Sequence, residues 1–250
     1  MGFTSLPNRS HFGIWNRGGC TRRLLSLGAS IASLMLMAPA QGGPVYGQGT
    51  WENTLQARDL DGNGATDAFY DTSLNITWLR NASPAGNTTW SAAKSYANNL
   101  NFGGYSDWRL PTLSPVNGSN FTYTPVTNNG STDGGTAKTG IGWGTASELG
   151  HLYYVSLANK GICTPNDASP GYNGCVQQPG YGPVNTGNFQ NYPSFSSWTG
   201  LEVAGYEGSV AWAFGISNGY QGGQTENTLL PAMMVRNGDV APPTCTAPQP

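Results

Sequence analysis

The sequence predicts an α+β domain of short elements joined by long loops, and three observations lead there. Apolar residues recur at helical spacing in two stretches, 90–100 and 149–157. Strand-like runs are short and bounded by Gly and Asn, at 69–79, 210–216 and 229–236. The chain carries 36 Gly and only 10% charged residues, a balance that favours turns over long exposed helices.

Taken in order, residues 1–40 read as a secretory signal peptide. Arg9, Arg17, Arg22 and Arg23 precede an apolar run over 24–38, and Ala38-Pro39-Ala40 supplies the small-x-small cleavage pattern. The run is too diluted with Gly and Ser for a membrane span of ~20 apolar residues. Residues 41–57 are a lead-in, and 58–71 an acidic turn punctuated by Gly. The strand segment 69–79 ends in Ile76-Thr77-Trp78-Leu79. Trp90, Ala93, Ala97 and Leu100 then form one helix face, with Thr89 as its cap. The charge-poor stretch 114–144 is a long inserted loop with a short hairpin around Phe121-Thr122-Tyr123. Thr145-Ala146-Ser147-Glu148 predicts a capping box opening a second helix, with Leu149, Leu152, Tyr153 and Leu157 buried and Lys160-Gly161 at its end. Val210, Trp212, Phe214 and Ile216 alternate as in a half-buried strand before a Ser217-Asn218-Gly219 turn, and 229–236 is the last strand. Residues 241–250 are a Pro-rich tail.

Charge and cysteine narrow the class. All 13 acids lie beyond residue 40, whereas four of the 11 Lys and Arg lie before it, so the exported part carries a balance of −6. Nucleic acid needs a basic footprint and is not expected as a partner. Cys163 and Cys175 bracket a Pro/Asn/Gly-rich loop and are expected to pair in an oxidising compartment. Cys245 is left over, as an intermolecular link or a lone thiol.

One block is distinctive: Gly104-Tyr105-Ser106-Asp107-Trp108-Arg109-Leu110-Pro111-Thr112, directly after the first helix. With Tyr70-Asp71-Thr72, Trp78, Trp90-Ser91-Ala92-Ala93-Lys94, Ser197-Trp198-Thr199-Gly200, Ala211-Trp212-Ala213-Phe214 and Val235-Arg236-Asn237-Gly238-Asp239, it resembles the Lcl C-terminal domain family over 58–240. This is an exported bacterial module long catalogued as a domain of unknown function. The family's Glu-Leu helix, which usually follows the block at once, is here delayed to Glu148-Leu149. The block is also similar to one in formylglycine-generating-enzyme-like domains. The resemblance implies a compact C-type-lectin-like fold, with two helices against short, mostly antiparallel strands. It further implies an adhesin-like activity, since a family member is a surface adhesin for sulfated polysaccharides.

Several residues carry candidate chemistry. Asp59, Asp61, Asn63, Ala65 and Asp67 occupy positions 1, 3, 5, 7 and 9 of a calcium-loop pattern, with Gly64 at position 6. Tyr70 stands where the bidentate Glu belongs, with Asp71 beside it. The alternative is a polar turn held by side-chain bonds to its own backbone. Arg109 reads either as an anion or sugar contact or as a guanidinium fixed by carboxylate and carbonyl partners. Tyr172, Tyr181, Phe189, Tyr192 and Phe195 lie in a Gly/Asn/Gln-rich stretch. Aromatic faces among amide side chains suit sugar rings, and the alternative is that they pack the loops down. His151 stands without a Ser or Cys partner in an enzymatic spacing, and Glu148 is its neighbour on the helix.

The expectation is therefore an exported, non-enzymatic binding module for a polysaccharide or matrix glycan, in the periplasm, at the cell surface or secreted. Its acidity weighs against the sulfated version and makes a neutral glycan at least as good a fit. The rivals are a structural or protein-interaction domain of the cell envelope and an enzyme of unknown reaction.

Overall fold

The structure is a computed structural model that describes residues 42–122, 124, 126–165 and 175–240. The signal segment, Tyr123, Tyr172, Cys245 and the Pro-rich tail lie outside the described residues. Within them the chain is α+β, with short helices and antiparallel strands in two sheets.

The segment expected as a lead-in belongs to the fold. It holds a helical turn, α1 (Trp51–Thr54), and strand β1 (Leu55–Arg58), with the Trp51 side chain buried in the core. β1 pairs with β2 (Ala68–Asp71), β2 with β3 (Ile76–Leu79), and β3 with β7 (Val235–Asn237), all antiparallel. The single strand expected over 69–79 is thus a β2–β3 hairpin, because Asn75 takes a left-handed conformation at φ +54° and turns the chain. The second sheet runs β4 (Ser197–Glu202), β5 (Val210–Gly215), β6 (Tyr220–Thr225), again antiparallel.

Helix α2 (Trp90–Asn99) forms where its periodicity places it, and Thr89 Oγ1 caps it by accepting from the Ala92 amide. The second helix differs from expectation. Its cap is Ser147, which accepts from the Gly150 amide; α3 (Glu148–His151) is one turn and relaxes into a π-helical turn over Leu152–Ser156. Glu148 does not reach back to the cap amide, because its carboxylate is held elsewhere.

Strand alternation divides the core. Trp212 and Phe214 point to one side of β5, while Ala211 and Ala213 point to the other, beneath Trp198. β5 is therefore covered on both faces rather than half-buried. One cluster joins Trp78, Tyr153, Tyr154, Phe214 and Met233. The second joins Trp90, Trp108, Leu110, Trp198 and Met234. Trp78 and Trp108 are both core residues.

The disulfide between Cys163 and Cys175 is present. It sits beside two backbone hydrogen bonds, from Thr164 to the Val176 carbonyl (2.7 Å) and from Gln178 to the Ile162 carbonyl (2.9 Å). No helix among the described residues is long and apolar enough to cross a membrane.

Candidate functional site

The distinctive block is a structural clamp. The Arg109 backbone pairs with Val235 in both directions (2.8 and 2.9 Å), fastening the block beside β7. Its guanidinium then spends every donor. Nη1 donates to Glu148 Oε2 (2.8 Å) and the Leu110 carbonyl (3.1 Å), Nη2 to Glu148 Oε1 (2.7 Å) and Asn237 Oδ1 (2.7 Å), and Nε to Asn237 Oδ1 (3.1 Å). An arginine has five N–H donors, so none is left for a ligand. The reading of Arg109 as a sugar or anion contact is corrected accordingly. Glu148 also accepts from the Thr112 amide at 2.7 Å. Asp107, adjacent in sequence, pairs with Arg236 instead, at 2.8 Å.

The aromatic candidates separate into two groups. Phe189 and Tyr192 are buried against the core, and Tyr192 also lines the cleft described below. Phe189 packs edge-on to Phe69 with centroids 5.0 Å apart, and Tyr192 stands 5.9 Å beyond it. Burial of Tyr192 pushes its hydroxyl pKa upward. Tyr181 is 40% exposed and takes no part in the clefts described below.

Phe195 is different. It is 67% exposed and lines an open cleft of 430 Å³ together with Leu229, 61% exposed. Asn87, Asn191, Ser83 and Ser194 add amide and hydroxyl groups to the rim, and among the described residues no Lys, Arg, Asp or Glu lines it. Three distant segments are pinned together to build it. Thr88 and Leu230 exchange backbone hydrogen bonds (2.9 and 3.0 Å), Gln190 donates to the Arg80 carbonyl (2.9 Å), and Ser217 donates to the Phe195 carbonyl (2.9 Å). Asn191 adopts φ +50° at the rim, and its amide donates to Asn81 Oδ1 at 3.1 Å. Phe195 also borders a smaller hollow of 130 Å³ over Ala213, Gly215 and Gly222, whose small side chains leave the sheet surface flat. Sequence reasoning placed Phe195 among the loop aromatics but could not distinguish it from Phe189 and Tyr192. Flanking Ser194 and Ser196 were the available signal.

The acidic turn brings its carboxylates together. Oxygens of Asp59, Asp61 and Asp67 lie within 4.8 Å of one another. Asp59 accepts from the Gly62 and Gly64 amides (2.8 and 2.7 Å), Asp61 from Asn63 (3.0 Å), Asp67 from Leu60 (2.9 Å), and Asn63 Oδ1 from Ala65 (2.7 Å). The Gly64 amide is the main cause holding the Asp59 carboxyl below the usual carboxylate range. Tyr70 is not a ligand; its hydroxyl donates to Asn75 at 2.9 Å. Asp71 cannot complete a shell, because strand alternation turns it into the core. There it accepts from the Ser73 and Leu74 amides and from Trp78 Nε1 (2.9, 3.3 and 3.4 Å). Asx-type bonds of this kind also hold an ordinary polar turn.

His151 is buried, and its Nδ1 donates to the Gly144 carbonyl at 3.0 Å. Glu148, its helix neighbour, is committed to Arg109.

The fold and these sites define a disulfide-bonded α+β domain whose signature residues Arg109 and Glu148 clamp the scaffold together. Residues 67–117, from the last acid of the turn through the Trp-Arg-Leu-Pro-Thr block, match the Lcl C-terminal domain family. The resemblance read from the sequence holds over that segment. No curated protein matches the chain.

Proposed function

We propose that the chain is an exported, non-enzymatic binding module that takes a neutral polysaccharide or matrix glycan in the Phe195 cleft. The observation that carries this reading is the exposed Phe195 ring, set among asparagine amides and serine hydroxyls, with no ionisable Lys, Arg, Asp or Glu on the rim among the described residues. A sugar ring has an apolar face and a girdle of hydroxyls, and it needs an aromatic platform beside polar groups. A sulfated chain would instead need clustered cations. Export accords with the basic, apolar and Ala-x-Ala order of residues 1–40 and with the Cys163–Cys175 bond. A C-type-lectin-like arrangement of the two sheets and a calcium ion in the Asp59–Asp67 turn are parts of the same proposal.

The test is a glycan array probed with residues 41–250, with and without calcium, followed by Phe195→Ala. The variant is expected to lose binding to neutral glycans at least about tenfold, on the scale of one aromatic contact. Its melting temperature should be unchanged, because the ring is exposed. Binding confined to sulfated glycans, or retained by Phe195→Ala, would remove the cleft from the reading.

A further inference from the structure

Strand β6 forms the open edge of the three-stranded sheet. On the opposite edge, β4 is covered, since Gly200 donates to the Pro111 carbonyl (2.7 Å) and Trp198 to the Pro231 carbonyl (3.0 Å). Among the described residues, β6 is covered only at its start, where Gln221 and Gly135 exchange hydrogen bonds of 2.7 and 2.9 Å in antiparallel sense. Glu226 donates to the Ser209 carbonyl at the foot of the β5–β6 pair. The register therefore turns the amides of Gly222 and Gln224 toward β5 and those of Gln221, Gly223 and Thr225 outward. Among the described residues, the Gly223 amide and carbonyl and the Thr225 amide have no hydrogen-bond partner. The sequence Gly222-Gly223-Gln224-Thr225 carries none of the Lys, Glu or Pro that usually blunts such an edge.

A cleft of 530 Å³ opens beside it, walled by Phe121, Val203, Val210 and Tyr206, the last 63% exposed. Phe121 packs at a tilt against Trp212, with ring centroids 5.5 Å apart, so the cleft lies on the Trp212 face of the sheet. Gly223 faces the same way. A residue paired with Gly223 would project its side chain on that face, into the apolar walls.

We infer that this edge receives an extended peptide segment, added antiparallel to β6, with an apolar side chain in the Phe121 cleft and a basic residue near the peptide's N-terminal end. The outward groups at Gly223 and Thr225 repeat at the two-residue interval of a strand, which a peptide backbone matches. Gly135 shows the edge already accepting one antiparallel partner, and it sets where the peptide must end. Charge sets the polarity. Glu202 and Glu226 meet at the far end of β6, beside Lys94, whose ammonium lies 3.7 Å over the Trp90 ring. Burial first, and then the neighbouring Glu202, push the Glu226 carboxyl above its usual range; Lys94 opposes them. A cationic side chain arriving there relieves that repulsion. Self-pairing of two β6 edges would add acids to acids and is disfavoured.

The probe is a fluorescein-labelled peptide of alternating valine and threonine with two lysines at its N-terminal end, titrated against residues 41–250 by fluorescence polarisation. Saturable binding is expected at or below about 0.1 mM, in the range of weak strand-addition contacts. N-methylation of alternate peptide amides, Gly223→Pro, or moving the lysines to the C-terminal end should each weaken it about tenfold or more. Peptide N-methylation leaves the protein untouched, so that arm stands even where Gly223→Pro unfolds. No binding at about 1 mM, or equal binding of the N-methylated peptide, overturns the assignment. So does self-association in light scattering that Gly223→Pro abolishes, since a second copy would then be the occupant. Glycan binding through Phe195 should survive saturation with the peptide, and peptide binding should survive Phe195→Ala, which keeps the two sites distinguishable.

Discussion

Replacing Glu148 by Ala removes the hub of the clamp. Three hydrogen bonds are lost at 2.7, 2.8 and 2.7 Å, two to the Arg109 guanidinium and one to the Thr112 amide. The Glu148 side chain is 10% exposed and that of Arg109 30% exposed, so water recovers part of the arginine's loss. A fully buried broken pair costs about 3–5 kcal/mol, and an exposed one about 0–1. A half-screened pair lies near 1–2 kcal/mol, to which the orphaned amide adds about 1. The sum of about 2–3 kcal/mol should lower the melting temperature by roughly 4–12 °C for a domain of this size. Urea unfolding followed by circular dichroism measures it. Arg109→Met alone should also be costly, because it strands a desolvated carboxylate. The double variant should cost less than the sum of the singles by about 1 kcal/mol or more. Strict additivity, or a loss below about 0.5 kcal/mol for Glu148→Ala, would refute the clamp. Glycan binding lost by Arg109→Met at an unchanged melting temperature would return Arg109 to the ligand site.

Other expectations follow from the same geometry. Removing the Cys163–Cys175 bond by double Ala substitution should cost up to about 3 kcal/mol in the chain-entropy model. The two adjacent backbone bonds should reduce that figure, and a more stable variant in calorimetry would contradict the account. Asp239 and Asp107 are held below the usual carboxylate range by Arg58 and Arg236 respectively. Their contribution is full above the unfolded carboxylate pKa of about 4 and is lost as pH falls through the lowered folded values. Both carboxylates are more than a third exposed, so the two pairs together amount to about 1 kcal/mol. Urea midpoints from pH 7 down to pH 2 should show that acid loss shrink in Asp107→Asn with Asp239→Asn. For the acidic turn, calcium at a hundredfold excess over its dissociation constant should stabilise the fold by about 2.7 kcal/mol, and Asp61→Ala should abolish the gain. Identical melting curves in calcium and chelator would leave the segment a polar turn.

What the sequence made legible was local. Helix α2 and its Thr89 cap depend on residues within a few positions of one another, as does the Ser217-Asn218-Gly219 turn. Burial of Trp78 and Trp108 needed only their size and apolar surface. The pairing of Cys163 with Cys175 needed only their spacing and context. Strand β6 was not legible, because Tyr-Gln-Gly-Gly-Gln-Thr has neither alternation nor β-branched residues until Thr225. It is a strand because β5 pairs with it over its full length. The Phe195 cleft was equally out of reach. Its walls at Asn87, Asn191 and Leu229 come from segments up to about 140 residues apart, and no periodicity links them. For Phe189 the choice between a ligand contact and loop packing was open in the sequence, because the Phe69 ring that packs against it stands on β2, 120 positions away.

The stretch 114–144 read as an inserted loop, and its side chains explain why the clamp survives it. Asp133 is buried and acts as an internal post, accepting from the Val116 and Thr122 amides at 2.8 and 2.5 Å. Its carbonyl accepts from Gln221 Nε2 at 2.7 Å, and Trp143 Nε1 donates to the Thr132 carbonyl at 2.8 Å. Gly135 has φ +116°, and a Cβ there would lie 1.9 Å from the Thr127 carbonyl oxygen, so only glycine lets this turn close against β6. The insertion is thus stitched to the second sheet before the chain returns to Ser147. That anchoring lets Glu148 meet Arg109 across 39 positions of sequence. The same anchoring makes the insertion one wall of the Phe121 cleft and the block on the β6 edge. Two surfaces are therefore built on one scaffold by different means: the Phe195 cleft by loops that flank the sheets, and the β6 edge by the insertion.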